Sequence, residues 1–322
     1  PLYYAAVFLR NKLYDWSIYK SKSYEFPLLC VGNLSVGGTG KTPMIEYLIT
    51  LLGSKYKLAT LSRGYGRKSK GFLIATPNAT SQDIGDEPLQ IFNKFKNITV
   101  AVDADRQNGL KYLKEHNPLL EVVLLDDAFQ HRKVTAGFNI LLTAYDQLYC
   151  DDFVLPTGNL REPKLGAKRA QLIVVTKCPE NLGDLEKTAI TKRLNPETNQ
   201  TVFFSSIQYS ETLISSTSNR ALSDLKGTHF TLVTGIANPT PLVEYLTEME
   251  LEFEHLNYKD HHEFSKPELE FIHSKSLVVT TEKDFSRLHT EAQDHIYYLP
   301  IQLKIENASE FERLVAGYVE VF

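Results

Sequence analysis

Apolar and polar positions follow two different periods along this chain, and the changes from one to the other outline most of its elements. Phe26, Pro27, Leu28, Leu29, Cys30 and Val31 form a short unbroken apolar run, the pattern of a strand buried on both faces. Met44, Ile45, Leu48, Leu51 and Leu52 then recur at helical spacing until Gly53 interrupts them. The exchange repeats downstream. Residues 57–62, 71–75, 98–102, 122–125, 139–143 and 172–176 read as strands, with 86–95 and 109–114 as helices between them. Continuous apolar strands separated by helices predict an α/β fold with a parallel sheet covered by helices on both faces.

Past residue 200 the pattern changes. Residues 201–209 read as extended, and 210–219 form a polar, Ser/Thr-rich stretch. A second, smaller α/β unit follows, with strand 229–234, helix 239–249, strand 252–256, helix 267–274 and strand 276–280. Residues 297–305 are extended again, and a last helix covers about 307–318. The two extended segments are expected to pair as a connector, with the last helix returning to the first domain. The predicted domains are 1–207 together with 303–322, and a smaller α/β lid domain at 208–302 with the connector strands.

Composition narrows the class. Of 322 residues, 43% are apolar and 23% charged, as in soluble globular proteins, and the net charge of −4 argues against a nucleic-acid partner. Cys30, Cys150 and Cys178 show no paired spacing, so neither structural disulfides nor a cysteine zinc site is expected. No apolar stretch reaches the roughly 18 residues of a membrane span, and no signal peptide is expected. In the first 20 residues, Leu2, Ala6, Leu9, Leu13 and Trp16 share one helical face. Tyr3, Tyr4, Phe8, Tyr14 and Tyr19 surround it, with Arg10, Lys12, Lys20 and Lys22 mixed in. Such a helix fits a membrane interface. The alternative is an ordinary helix packed on the core.

The chemistry concentrates between the first strand and the first periodic helix. Ser35-Val36-Gly37-Gly38-Thr39-Gly40-Lys41-Thr42 has the form of a phosphate loop, although Ser35 stands where the usual pattern has Gly. Loop and helix N–H groups would bind phosphate oxygens, Lys41 would reach the outer phosphates, and the Thr42 hydroxyl would ligate magnesium. Asp126-Asp127 ends a Val/Leu strand, the usual place for a second magnesium anchor. Thr176-Lys177-Cys178-Pro179 resembles the guanine-reading position of GTPases, but Pro179 replaces the reading Asp, which favours ATP. Further polar clusters fall at 62–67, 83–88, 103–106, 130–132, 159–163 and 259–262. Within them Arg63, Arg67, Arg106 and Arg161 are candidates to neutralise nucleotide or substrate phosphates.

Several of these stretches, in this order, resemble the tetraacyldisaccharide 4'-kinases, the lipid A kinases of Gram-negative bacteria. The matching segments are 31–43, 61–67, 85–88 (Gly-Asp-Glu-Pro), 125–131, 155–163 and 260–264 (Asp-His-His-Glu-Phe). In that family Ser35 is not a departure. The resemblance implies a P-loop NTPase-like fold and ATP-dependent phosphorylation of the 4'-hydroxyl of an acylated glucosamine disaccharide 1-phosphate, giving lipid IVA. It also implies a peripheral enzyme on the cytoplasmic face of the inner membrane. Asp86 matches the family's catalytic carboxylate and His261 the histidine thought to assist it, while Glu87, Asp126, Asp127 and Gln130 match residues placed around magnesium. If Asp86 and His261 act on one substrate, the smaller unit must close over the nucleotide. Two other readings are a nucleotide-switch GTPase or metal-insertion chaperone, and a soluble small-molecule kinase.

Overall fold

The computed structural model describes residues 2–260, 262–288 and 294–322. The chain divides into two compact units, Pro1–Ile207 with Leu303–Phe322, and Gln208–Gln302.

The larger unit is built on a nine-stranded sheet. In chain order its strands are β1 (Leu28–Asn33), β2 (Leu58–Ser62), β3 (Leu73–Ile74), β4 (Thr99–Val102), β5 (Val122–Asp126), β6 (Phe138–Ala144), β7 (Leu172–Thr176), β8 (Thr201–Tyr209) and β15 (Ile301–Ile305). Across the sheet they run β15-β8-β7-β6-β1-β5-β2-β4-β3. β1 lies between β5 and β6 and is parallel to both; β5–β2, β2–β4, β6–β7 and β7–β8 are parallel too. The predicted strand at 71–75 shrinks to β3, an antiparallel edge on β4. The helices are α1 (Leu2–Asp15), α2 (Lys41–Leu52), α3 (Ser81–Ile84), α4 (Asp86–Lys94), α5 (Arg106–His116), α6 (Asp184–Leu194) and the last, α10 (Ala308–Glu320).

Strand alternation divides the core into two layers. Leu28 and Cys30 of β1 join Leu110, Leu113, Ile190 and Leu194 of α5 and α6. Leu29 and Val31 join Met44, Ile45, Leu48, Leu89, Phe311 and Val315 of α2, α4 and α10. Both faces are therefore covered, which explains why the strands read as unbroken apolar runs. Truncating any one of these buried leucines to Ala costs about 2–5 kcal/mol. Helix α6 is absent from the sequence reading because only Ile190 and Leu194 of it are buried, too few for a visible period.

The smaller unit has a six-stranded sheet, ordered β10-β9-β14-β13-β11-β12. Its strands are β9 (Thr212–Ile214), β10 (Asn219–Ala221), β11 (Phe230–Thr234), β12 (Phe253–Asn257), β13 (Val278–Thr281) and β14 (Ile296–Leu299). Its helices are α7 (Thr240–Glu248), α8 (Lys266–His273) and α9 (Glu282–Leu288). β12, β11, β13 and β14 are mutually parallel. The polar stretch 210–219 contributes the short strands β9 and β10, paired antiparallel. The single extended segment expected at 297–305 is two strands broken at Pro300, one in each sheet. Proline has no N–H to give a ladder, so pairing stops there.

Candidate active site

In the larger sheet β1, β2, β4, β5, β6 and β7 point the same way, so the loops after them converge on one edge. That edge gathers residues that are far apart in the chain, as open parallel sheets do at their carboxyl ends.

The phosphate loop leaves β1 at Asn33. Gly40 takes φ +84° at the N-cap of α2, a left-handed conformation that glycine adopts without strain, and no side chain caps the helix. The first-turn N–H groups of α2 thus remain available to an anion, reinforced by the helix dipole. The loop is fixed from several sides. Asn33 Nδ2 donates to Thr39 Oγ1 at 2.7 Å, and Thr176 Oγ1 donates to the Thr39 carbonyl at 2.9 Å. Val36 N–H donates to the Asn159 carbonyl at 2.8 Å. Val36, Gly37 and Gly38 are exposed, while Ser35 and Thr39 are buried supports. A Cβ built on Gly38 would lie 4.0 Å from Lys177 Nζ. The segment judged only for guanine reading therefore places a second lysine beside the loop.

Asp126 closes β5. It is 5% exposed, and its Oδ1 is buried with no hydrogen-bond partner. Burial, then the neighbouring Glu87 and Asp127 carboxylates, push its pKa up to about 7; Lys41 and Arg106 offset this only in part. Asp127, in a left-handed turn at φ +47°, behaves oppositely. Burial would raise it, but the Arg161 guanidinium and Lys41 outweigh that and hold it below the usual carboxylate range. Arg161 grips it with two bonds, Nη2 to Oδ1 at 2.7 Å and Nη1 to Oδ2 at 3.0 Å, and also donates to Asn33 Oδ1 and to the Asn33 carbonyl.

Asp86 and Glu87 open α4. Gly85 (φ +92°) ends α3 and begins α4, and a Cβ there would meet the Tyr65 carbonyl at 2.8 Å. The 62–67 loop and the carboxylate-bearing helix end can thus lie this close only with glycine between them. Glu87 is near enough to Asp126 to raise its pKa, which brings α4's first turn to the end of β5.

A buried, unpartnered carboxylate oxygen pressed by two other acids is a place where a hard cation would be welcome. Among the described residues, no group of three or more acidic, His or Cys side chains converges closely enough to hold an ion alone. The orphaned Asp126 oxygen and its carboxylate neighbours are the hard oxygen donors that magnesium takes.

Several expected residues have partners within the protein. Arg106 is 3% exposed and donates to the carbonyls of Asp103 at 2.7 Å and Asp126 at 3.1 Å, so it braces two strand ends. Arg161 is spent on Asp127 and Asn33. Arg67 donates to Ser69 Oγ and to the Gly71 carbonyl, whereas Arg63 is exposed. Gln130, expected beside magnesium, donates to the Asn33 carbonyl at 2.8 Å and to Glu162 Oε1 at 2.9 Å. Glu162 is fully buried and also accepts from Arg169 and from Asn11 of α1, both at 2.9 Å. This bracket was invisible in the chain order because its members are up to 151 residues apart.

In the smaller unit, Lys283 Nζ donates to Asp260 Oδ1 at 3.2 Å. His262 Nε2 is 3.1 Å from Glu268 Oε1, and Glu268 closes a capping box with Ser265 at the start of α8. Hydrogen bonds from Ser265 and His262 hold the Glu268 carboxyl down at about 2. His262 thus has a structural occupation. His261 lies outside the described residues.

The family described as tetraacyldisaccharide-1-P 4'-kinase matches the chain over residues 1–320. The chain belongs to this family. A tetraacyldisaccharide 4'-kinase of Flavobacterium johnsoniae is 47% identical, over 99% of this chain and 95% of its own length. One of Bacteroides thetaiotaomicron is 45% identical, over 99% and 91%. The Aquifex aeolicus member of the family, crystallised in complex with ATP, superposes with a TM-score of 0.80 at 29% identity, covering 99% of this chain and 96% of that one. The nucleotide-switch reading finds no support.

Proposed function

We infer the following division of labour for a tetraacyldisaccharide 4'-kinase, the ATP-dependent enzyme that this chain is. The observation that carries it is the joining of Lys41, Glu87, Asp126 and Asp127 in one electrostatic cluster beside an uncapped helix N-terminus. The α2 N–H groups and Lys41 bind the β- and γ-phosphates of ATP. A bound magnesium ion would supply positive charge against the charge that grows on the phosphates during transfer. Thr42, Asp126 and Glu87 are the residues to hold it. Asp127 is kept ionised by Arg161 and adds negative charge beside it. Gln130 and Arg161 brace the strand end that aims the loop.

The acceptor's 4'-hydroxyl oxygen attacks the γ-phosphorus as the bond to the ADP oxygen breaks. Asp86, at the first turn of α4, takes the hydroxyl proton. Most of the acceleration comes from positioning and charge neutralisation.

The lipid substrate is met at a membrane surface. α1 buries none of its residues, and no helix among the described residues is long and apolar enough to cross a membrane. It is held to the body by polar contacts: Asn11 with Glu162, Arg10 with the Gln130 carbonyl, Tyr3 Oη with the Arg161 carbonyl, and Arg132 with Asp15. Leu2, Tyr4, Leu9 and Trp16 stay exposed. A helix attached by its polar face with aromatics left outward suits the cytoplasmic surface of the inner membrane.

The decisive assay is transfer of label from ATP to a purified acylated disaccharide 1-phosphate in detergent micelles. Label at the 4'-oxygen is expected, and its absence with folded, ATP-binding protein would overturn the reading.

A further inference from the structure

Helix periodicity relates the two helices that carry the chemistry. On α2, Thr42 and Glu46 are one turn apart on the same face. On α4, Asp86, Gln90 and Lys94 follow one another at four-residue steps, again on one face. Glu46 joins these two faces. Glu46 is 7% exposed; its Oε1 accepts from Gln90 Nε2 at 2.8 Å and its Oε2 from Lys94 Nζ at 2.7 Å.

A buried ion pair is a poor way to gain stability, because desolvation consumes most of the attraction. Its geometric content is larger. Two directional bonds from one carboxylate to two turns of α4 fix both the rotation and the axial register of that helix against α2. The apolar residues that both helices contribute to one core cluster, among them Leu48, Leu52, Leu89 and Ile91, pack without direction. They hold the helices together without setting register.

We propose that Glu46 is a positioning residue for phosphoryl transfer: it sets α4's register so that Asp86 and Glu87 stand at a defined place relative to Lys41 and Thr42. The inference rests on the reading of Asp86 as the base.

Three variants test it, with rates expressed per ATP-binding site so that unfolded protein does not count. Glu46→Ala removes both acceptors. It should lower kcat about thirtyfold, the scale expected for a displacement near 1 Å, while Kd and KM for ATP stay within about threefold. Glu46→Gln keeps the length and one carbonyl acceptor and should return to within about threefold of wild type. In an Asp86→Asn background, Glu46→Ala should cost clearly less than in wild type, since only Glu87 is left to misplace. Should Glu46→Ala not fold, the pair Gln90→Leu with Lys94→Met removes the same bonds from α4 and is read by the same criteria.

A wild-type kcat per site in Glu46→Ala overturns the proposal. So does a raised KM for ATP with kcat intact, which would assign Glu46 to nucleotide binding. So does Glu46→Gln as slow as Glu46→Ala, which would make charge, not register, the operative property. A fast Asp86→Asn enzyme would instead defeat the base assignment itself, so the two failures are told apart.

Discussion

Two buried aspartates, one at the end of a core strand in each sheet region, show opposite solutions to the same problem. Asp284, opening α9 after β13, is fully buried and fully occupied. It accepts from Gly235 N–H at 2.8 Å, from Thr281 Oγ1 at 2.7 Å and from Arg287 Nη1 at 3.2 Å. Asp126, closing β5, is almost as buried, yet one oxygen has no partner and its neighbours are other acids. The first carboxylate spends its charge holding the loop after β11 to the start of α9. The second keeps its charge unspent. A fold tolerates such an unmet group where a ligand is to meet it, and the cost appears as lost stability.

The comparison predicts which losses fall on activity and which on folding. The largest effect on rate is expected from Lys41→Ala, on the order of a thousandfold in kcat, with the melting temperature nearly unchanged because Lys41 is half-exposed and supports no core contact. Steady-state kinetics beside a thermal melt would check this, and a large drop in melting temperature would make Lys41 a structural residue.

Asp86→Asn and His261→Ala are each expected to lower kcat by about a hundredfold or more, with little change in KM for ATP. If the two act as a unit, the double variant should be scarcely slower than the poorer single, since such losses are non-additive. Multiplying losses would mean two independent roles.

The sharpest form of the comparison is in stability. Asp284→Asn removes the buried charge that Arg287 Nη1 meets at 3.2 Å and should destabilise the protein by about 3 kcal/mol, visible as an earlier urea transition. Asp126→Asn should do the reverse in nucleotide-free protein. Its folded pKa, about 7, lies above the ordinary carboxylate value, so the ionised form costs stability. Wild-type stability should therefore rise as pH falls from about 7 toward 4, by at most roughly 4 kcal/mol, and Asp126→Asn should flatten that rise while losing activity. A flat wild-type profile over that range would remove the contrast between the two aspartates.

The smallest effect concerns α1. Replacing Leu9 and Trp16 by Ser should reduce vesicle co-sedimentation several-fold and raise KM for the lipid more than for ATP, with the melt unchanged. Loss of folding would show that α1 belongs to the core after all.

Much of the larger unit could be read from sequence because its strands are buried on both faces, so local composition and local environment agree. The phosphate loop was legible for the same kind of reason: its function requires glycines, Lys41 and Thr42 next to one another in the chain. Asp126 and Asp127 were legible as residues but not as opposites, since nothing in a pair of adjacent acids says that one will meet Arg161 and the other will not. The arginines were the hardest. Arg63, Arg67, Arg106 and Arg161 look alike as loop residues, and only their neighbours in space separate a brace from an exposed side chain.

By itself the sequence determined the alternation of strands and helices, the phosphate loop, the family and therefore the reaction, because each of these is written in residues close together in the chain. Tertiary structure alone decided which charges are paired and which are left waiting. It decided that Glu162 gathers Asn11, Gln130 and Arg169, and that Glu46 of one helix holds Gln90 and Lys94 of another. It also decided that the Asp126 carboxyl is pushed up while that of adjacent Asp127 is held down. Pairing and desolvation depend on distances between residues tens to hundreds of positions apart, and those distances exist only once the sheet has brought its strand ends to a common edge.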